Sequence, residues 1–164
     1  MINFKEIKNK IIAKNNLYCL GVISIIFFLD RYTKLFILNN FTENTYYLNN
    51  YINLDLVWNT GIGFGLFSSN SDIIYNLTSL LIIVVIICLI YFLIRSEKYE
   101  KIIYSIIVGG ALGNFYDRIF FKAVPDFIDL HYKNFHWFTF NLADIFITLG
   151  IIAFLFKEIF KANQ

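Results

Sequence analysis

Charge is what this sequence has least of. Asp, Glu, Lys and Arg make up 16% of its 164 residues, and the net charge is only +2. So small an excess gives no argument for a nucleic-acid partner. Cysteine is scarce: Cys19 and Cys88 are the two present, both inside apolar runs, where they are expected to be buried and to pack as small hydrophobes. Histidine is limited to His131 and His136, which read as ordinary surface residues of a loop. With no cluster of His and Cys there is no zinc site, and neither histidine has a convincing serine partner for nucleophilic catalysis. Carboxylates alone could hold a hard cation, but that takes about six or more oxygens, so no metal or cofactor is expected. No internal repeat or low-complexity segment is evident. The first apolar run leads into Asp30-Arg31-Tyr32-Thr33-Lys34 rather than a small-residue cleavage site, so no cleavable signal peptide is expected.

Apolar residues are what it has in excess: 58% hydrophobic, 20% aromatic, mean hydropathy +0.61. A soluble domain is about 45–50% apolar, so the surplus calls for a solvent other than water. Four apolar runs, at about 17–38, 73–94, 102–121 and 139–160, have roughly the 20 residues that cross a bilayer core. The expected fold is an all-α polytopic membrane protein, one domain over 1–164, with four transmembrane helices and outer loops at 39–72 and 122–138. In the first loop Ile52, Leu54, Leu56 and Trp58 alternate with Asn53, Asp55 and Val57, a period of two that predicts a short strand or small sheet on the membrane face. The second is expected to be a loop with a short interfacial segment around Phe127 to Tyr132, and Phe135, Trp137 and Phe138 suit an aromatic belt. The leader, the 95–101 turn and the tail hold nine of the fourteen basic residues, against Lys122 and Lys133 in the outer loops. That asymmetry puts both termini in the cytoplasm.

The few polar residues inside the runs gather at the opposite, outer level. Asp30 and Lys34 are four apart with the acid first, a favourable helical pair. They read equally well as a snorkelling pair near the interface or as a buried pair that orders a site. Gly109 and Gly113 have the spacing that lets helices pack closely. Asn114, Asp117 and Arg118 share one helical face, and Arg118 is expected to pair with Asp117 or another acid. Gly61, Gly63 and Gly65 at alternate positions allow a tight turn or close approach, a weak signal taken alone. Asp126 lies in the second loop and Asp144 opens the last run, so the two carboxylates can meet at one membrane face. There they cannot both ionise and would share a proton: one activates water and the other polarises a peptide carbonyl, as in an aspartyl protease. Two other readings of the same residues are an ion-paired helix bundle without catalysis and a small proton-coupled transporter. The transporter would need polar residues continuing inward, and the second run offers almost none.

Five blocks in order carry a resemblance: Asp30 with Lys34; Asn59-Thr60-Gly61; Gly109-Gly110-Ala111-Leu112-Gly113-Asn114 with Asp117-Arg118; Val124-Pro125-Asp126-Phe127; and Phe140-Asn141-Leu142-Ala143-Asp144. The chain resembles lipoprotein signal peptidase, the type II signal peptidase of bacterial membranes. The resemblance implies an aspartic endopeptidase that cuts prolipoproteins just before a cysteine carrying diacylglyceryl. It implies Asp126 and Asp144 as the dyad. Asn59, Asn114, Arg118 and Asn141 map onto positions that shape the site and contact substrate or the peptide antibiotic globomycin. Asp30 and Lys34 match supporting residues, and Gly61, Gly113, Asp117 and Ala143 stand in the same blocks as further site support. It also implies a multi-pass inner-membrane enzyme with its site at the periplasmic face, substrate entering sideways from membrane lipid, and a monomer is the expected state. Gly63 departs from the Ala or Ser usual there. Asp129, three residues beyond Asp126, is expected to be a surface residue.

Overall fold

The computed structural model describes residues 14–41, 45–61 and 72–162. Its elements run α1 (Lys14–Asn40), β1 (Tyr46–Tyr47), β2 (Ile52–Asn59), α2 (Asp72–Arg95), α3 (Lys98–Phe121), β3 (Val124–Tyr132), β4 (Phe135–Phe140) and α4 (Leu142–Ala162). The helices have 27, 24, 24 and 21 residues, so at 1.5 Å per residue each reaches at least about 30 Å, the thickness of a bilayer core. Among the described residues α2 is the helix apolar enough by length and composition alone to cross a membrane, with a mean hydropathy of 3.2. The other three are diluted by charged residues, among them Asp30 and Lys34 in α1, Asp117 and Arg118 in α3, and Lys157 and Glu158 in α4.

The helix α3 is central and packs against the other three. Small residues make this close contact possible. A Cβ on Gly110 would lie 2.7 Å from the Ala143 carbonyl oxygen on α4, and one on Gly113 would lie 2.5 Å from Asp30 Oδ2 on α1. No side chain fits at either place, so the glycine stretch sets how closely α1 and α4 approach α3. Outward faces are apolar and exposed, as at Ile73, Leu77, Leu80, Val84, Ile87 and Phe156.

The strands form one antiparallel sheet in the order β1-β2-β3-β4. The alternation read over 52–58 is β2. The expected loop at 122–138 is instead mostly the β3–β4 hairpin, and α4 starts at Leu142, three residues later than the apolar run suggested. Lys122 (φ 56°) ends α3 in the left-handed conformation and turns the chain into β3. Lys133 (φ 53°) does the same in the two-residue turn between Tyr132 and Phe135. Between them Phe127, Asp129 and His131 alternate as buried residues, a strand signal that charge and histidine disguised.

Asp129 is therefore not at the surface. It is 3% exposed, bonded to His136 Nδ1 at 2.7 Å and to Asn53 Nδ2 at 3.3 Å, and Asn53 is its register partner on β2. His131 is likewise buried and stacks on His136, so only His136 behaves as the sequence led one to expect. Cys19 is buried, whereas Cys88 is exposed on α2, which corrects the expectation for the second thiol. The expectations attached to Gly63, Gly65 and the lysines before residue 14 lie outside the described residues.

Candidate active site

The site is built where the sheet meets one end of the helix bundle. Its foundation is Lys34 on α1. The ammonium has three protons and no lone pair, and each proton has a buried acceptor: Asp30 Oδ2 at 2.9 Å, Asn114 Oδ1 at 2.7 Å and Asp117 Oδ2 at 2.8 Å. Lys34, Asp30 and Asp117 are all 0% exposed, which settles the two readings of the Asp30–Lys34 pair in favour of the buried one. Asp117 also meets Arg31 Nη1 at 2.6 Å, and the Arg31 guanidinium lies 4.8 Å over the Tyr116 ring. Two buried acids thus face two cations, the condition under which burial of charge is tolerated. Sequence reasoning passed over Arg31. Its position three residues before Lys34 makes the two side chains neighbours on the helix surface, which is the signal that could have found it.

This foundation reaches the proposed dyad through amides. Because Lys34 can only donate, Asn114 must present its oxygen to it, and its Nδ2 is left to donate to Asp144 Oδ1 at 2.8 Å. Asp30 Oδ1 accepts from the Ala143 N–H at 3.1 Å, tying α1 to the first turn of α4. Asn141 caps that helix. Its Oδ1 accepts from the Asp144 N–H at 3.1 Å, and Asp144 Oδ2 accepts from the Asn141 N–H at 3.2 Å, the reciprocal arrangement of a capping box. Asp144 therefore has its rotamer fixed by the helix start itself.

Asp126 comes from β3, opposite Val57 of β2. Asn141 Nδ2 donates to its Oδ1 at 2.5 Å and Asn59 Nδ2 to its Oδ2 at 2.9 Å. Asn141 thus joins the two carboxylates, capping one and donating to the other. Asn59 accepts in turn from the Gly61 N–H at 2.8 Å. Arg118 holds the same turn from the other side, donating from Nη2 to the Gly61 carbonyl and from Nη1 to the Asn114 carbonyl at 3.1 Å. It bonds these two carbonyls rather than Asp117, which Lys34 and Arg31 already serve, so among the described residues the expected pairing of Arg118 with Asp117 or another acid is not what forms. Tyr75 of α2 donates to the Arg118 carbonyl at 2.6 Å, a contact that nothing in the apolar second run advertised.

Asp126 is 2% exposed. Burial, and next the charge of Asp144, push its carboxyl from an ordinary 3.8 up to about 7, against the opposing pull of the two asparagine donors. A carboxyl that holds a proton near neutrality beside a second carboxylate is able to donate to an oxygen while its neighbour accepts from water. An apolar groove of about 750 Å³ between α2, α3 and α4 leads to this place, running from Phe92 and Tyr104 to Asn114, Arg118 and Asp144. Among the described residues no group of three or more His, Cys, Asp or Glu is arranged to hold a metal.

The family described as signal peptidase (SPase) II matches residues 22–160. Among its relatives, lipoprotein signal peptidase of Pelagibacter ubique is 46% identical over 95% of this chain and 96% of that one. Lipoprotein signal peptidase of Anaplasma phagocytophilum is 41% identical over 87% of this chain and 92% of that one. Two solved structures of bacterial membrane enzymes have a similar fold. One has a TM-score of 0.76 at 24% identity, covering 88% of this chain and 89% of that one. The other has 0.71 at 25% identity, covering 85% and 91%.

Proposed function

Because the chain belongs to the signal peptidase II family, and so is a bacterial membrane peptidase that removes signal peptides from prolipoproteins, we propose that Asp126 and Asp144 do the cutting as an aspartyl dyad. The observation that carries this reading is Asn141, which caps the helix bearing Asp144 and donates to Asp126 at 2.5 Å, so that one residue holds both carboxylates. With the pair carrying one proton, the ionised member takes a proton from water as the water oxygen attacks the scissile carbonyl carbon. The protonated member gives its proton to the carbonyl oxygen. The tetrahedral diol then collapses: the C–N bond breaks as the carboxyl that took the water proton gives it to the leaving nitrogen, one diol hydroxyl gives its proton to the other carboxylate as the new carbonyl forms, and the pair again carries one proton. No covalent intermediate forms, and the pH dependence belongs to the pair rather than to either residue.

The remaining site residues support the dyad in distinct ways. Asn114 and Asp30 orient Asp144 and its helix turn, while Lys34, held in place by Asp117, neutralises Asp30. Asn59, Gly61 and Arg118 hold the loop beside Asp126. Gly113 leaves room for Asp30 to reach across to the Ala143 N–H. Four spans with both termini in the cytoplasm agree with the site lying at one end of the bundle and Lys101, Lys157 and Arg95 at the other. The site then faces the periplasm. The 750 Å³ groove suits the apolar segment of a signal peptide entering from the lipid, and globomycin-type peptides would compete there. The pair and its supports come from one chain, which favours a monomer.

The test is cleavage by purified protein in detergent of a prolipoprotein precursor with and without diacylglyceryl on its cysteine. Cleavage of the lipidated form alone, immediately before that cysteine, is the expected outcome. Equal cleavage of both forms would remove the lipid from the reading.

A further inference from the structure

Arg118 lines two grooves. The larger one leads to Asp144; the other, about 370 Å³, opens between α2 and α3 on a different side of the same residue. There Ser79, Leu80 and Ile83 face Phe115 and Ile119. The groove is almost wholly apolar, yet two of its three polar residues bring a buried donor with no partner among the described residues, Arg118 Nε and Ser79 Oγ, while the third, Tyr75, spends its hydroxyl on the Arg118 carbonyl. Arg118 itself is 6% exposed, and its other two nitrogens are already committed to the Asn114 and Gly61 carbonyls. In a hydrocarbon setting, where water does not reach, a buried unpaired donor is costly, so the missing acceptor belongs to whatever fills the groove.

An occupant with an oxygen acceptor at one end and a hydrocarbon tail behind it would satisfy these donors and fill the apolar groove. We infer that this groove takes one acyl chain of the substrate's diacylglyceryl group, with its ester carbonyl accepting from Arg118 Nε and Ser79 Oγ. This rests on the reading of a lipidated precursor given above. Two features support it. From Tyr75, which is bonded to Arg118, to Ile83 the groove follows α2 for about 12 Å at 1.5 Å per residue. That is close to the roughly 15 Å of hydrocarbon in one leaflet. The substrate also branches next to the bond that is cut, with peptide leading one way and thioether-linked lipid another. Two grooves diverging from Arg118 match that branching, the larger for peptide and the smaller for an acyl chain.

The direct test uses Asp144→Asn protein in nanodiscs, to hold substrate uncut, and a lipidated precursor with a diazirine midway along its acyl chains. After irradiation the labelled residues are read by mass spectrometry. Label on Leu80, Ile83 or Ile119, displaced by excess unlabelled lipidated precursor, is the expected result. Label confined to the larger groove at Val85 or Ile151, or label at Ile83 that excess precursor leaves in place as bulk lipid would, overturns the inference. A kinetic test runs beside it in the active enzyme. Ile83→Trp is expected to raise KM about tenfold for a long-chain precursor at nearly unchanged kcat, and to leave a diacetylglyceryl precursor unaffected. Ser79→Ala, which perturbs packing less, is expected to raise KM about threefold with the same selectivity. No change, or equal loss on both precursors, contradicts the acyl site while leaving the peptidase reading intact; failure of the unsubstituted enzyme on both precursors strikes that underlying reading instead.

Discussion

Replacing Asp126 by Asn should abolish cleavage and, at alkaline pH, make the protein more stable. A carboxyl raised from 3.8 to about 7 favours its protonated form in the folded state. The folded chain then binds more protons than the unfolded one between those values, so stability falls as pH rises from about 4 through 7. Above both values the disadvantage approaches about 4 kcal/mol, and at pH 5 it is about 2 kcal/mol. Asn has no such penalty, but it accepts through one oxygen where Asp126 accepts from both Asn59 and Asn141, which forfeits about 1 kcal/mol or somewhat more. The net gain is about 2–3 kcal/mol at pH 8 and near zero at pH 5. For a chain of this length 2 kcal/mol moves the midpoint by roughly 4–8 °C. Melting curves of both proteins in one detergent at pH 5 and pH 8 give the comparison. An Asn variant that is less stable at pH 8, or a gap that ignores pH, would refute the argument that burial and Asp144 burden this carboxylate.

Three further outcomes follow from the geometry. Lys34→Met leaves Asp30 and Asp117 with Arg31 alone; a loss of about 3–5 kcal/mol is expected, seen as poor yield and a collapsed melting point, and a near-normal melting curve would show that Lys34 is not the hub. Gly110→Ala puts a Cβ 2.7 Å from the Ala143 carbonyl, so α4 must shift with Asp144; a fall in kcat of tenfold or more with retained membrane insertion is expected, and full activity would mean that the α3–α4 contact does not position the dyad. Asp129→Asn weakens the bond to His136 and should lower stability by about 1.5 kcal/mol while leaving kcat/KM within about twofold; loss of activity in folded protein would make Asp129 a rival for the role given to Asp126.

What the sequence made legible was whatever depends on period and exposure to lipid. The four apolar lengths gave four helices, the alternation at 52–58 gave β2, and the glycine spacing gave the close face of α3. The gathering of polar groups at one level was also readable, since residues that are costly in hydrocarbon have few places to go. What was lost depends on pairing across elements. β3 carries Asp126, Asp129 and His131, residue types that read as loop, and only register with β2 and β4 turns them into a buried strand. Arg118 has Asp117 as its sequence neighbour, yet Lys34 and Arg31 from another helix satisfy that acid first. Asn141 is the most informative loss. The residue types of a helix cap were in view, but not that the same side chain, having used its oxygen on Asp144, has its nitrogen free for Asp126.

The most direct measurement of the central claim is cleavage of a diacylglyceryl precursor by Asp126→Asn and Asp144→Asn enzymes, each checked by its melting curve to be folded. Neither variant should release the signal peptide at a rate above background, while the unsubstituted enzyme cuts immediately before the lipidated cysteine. Normal turnover by either folded variant would contradict the dyad and leave the two carboxylates as parts of a polar scaffold.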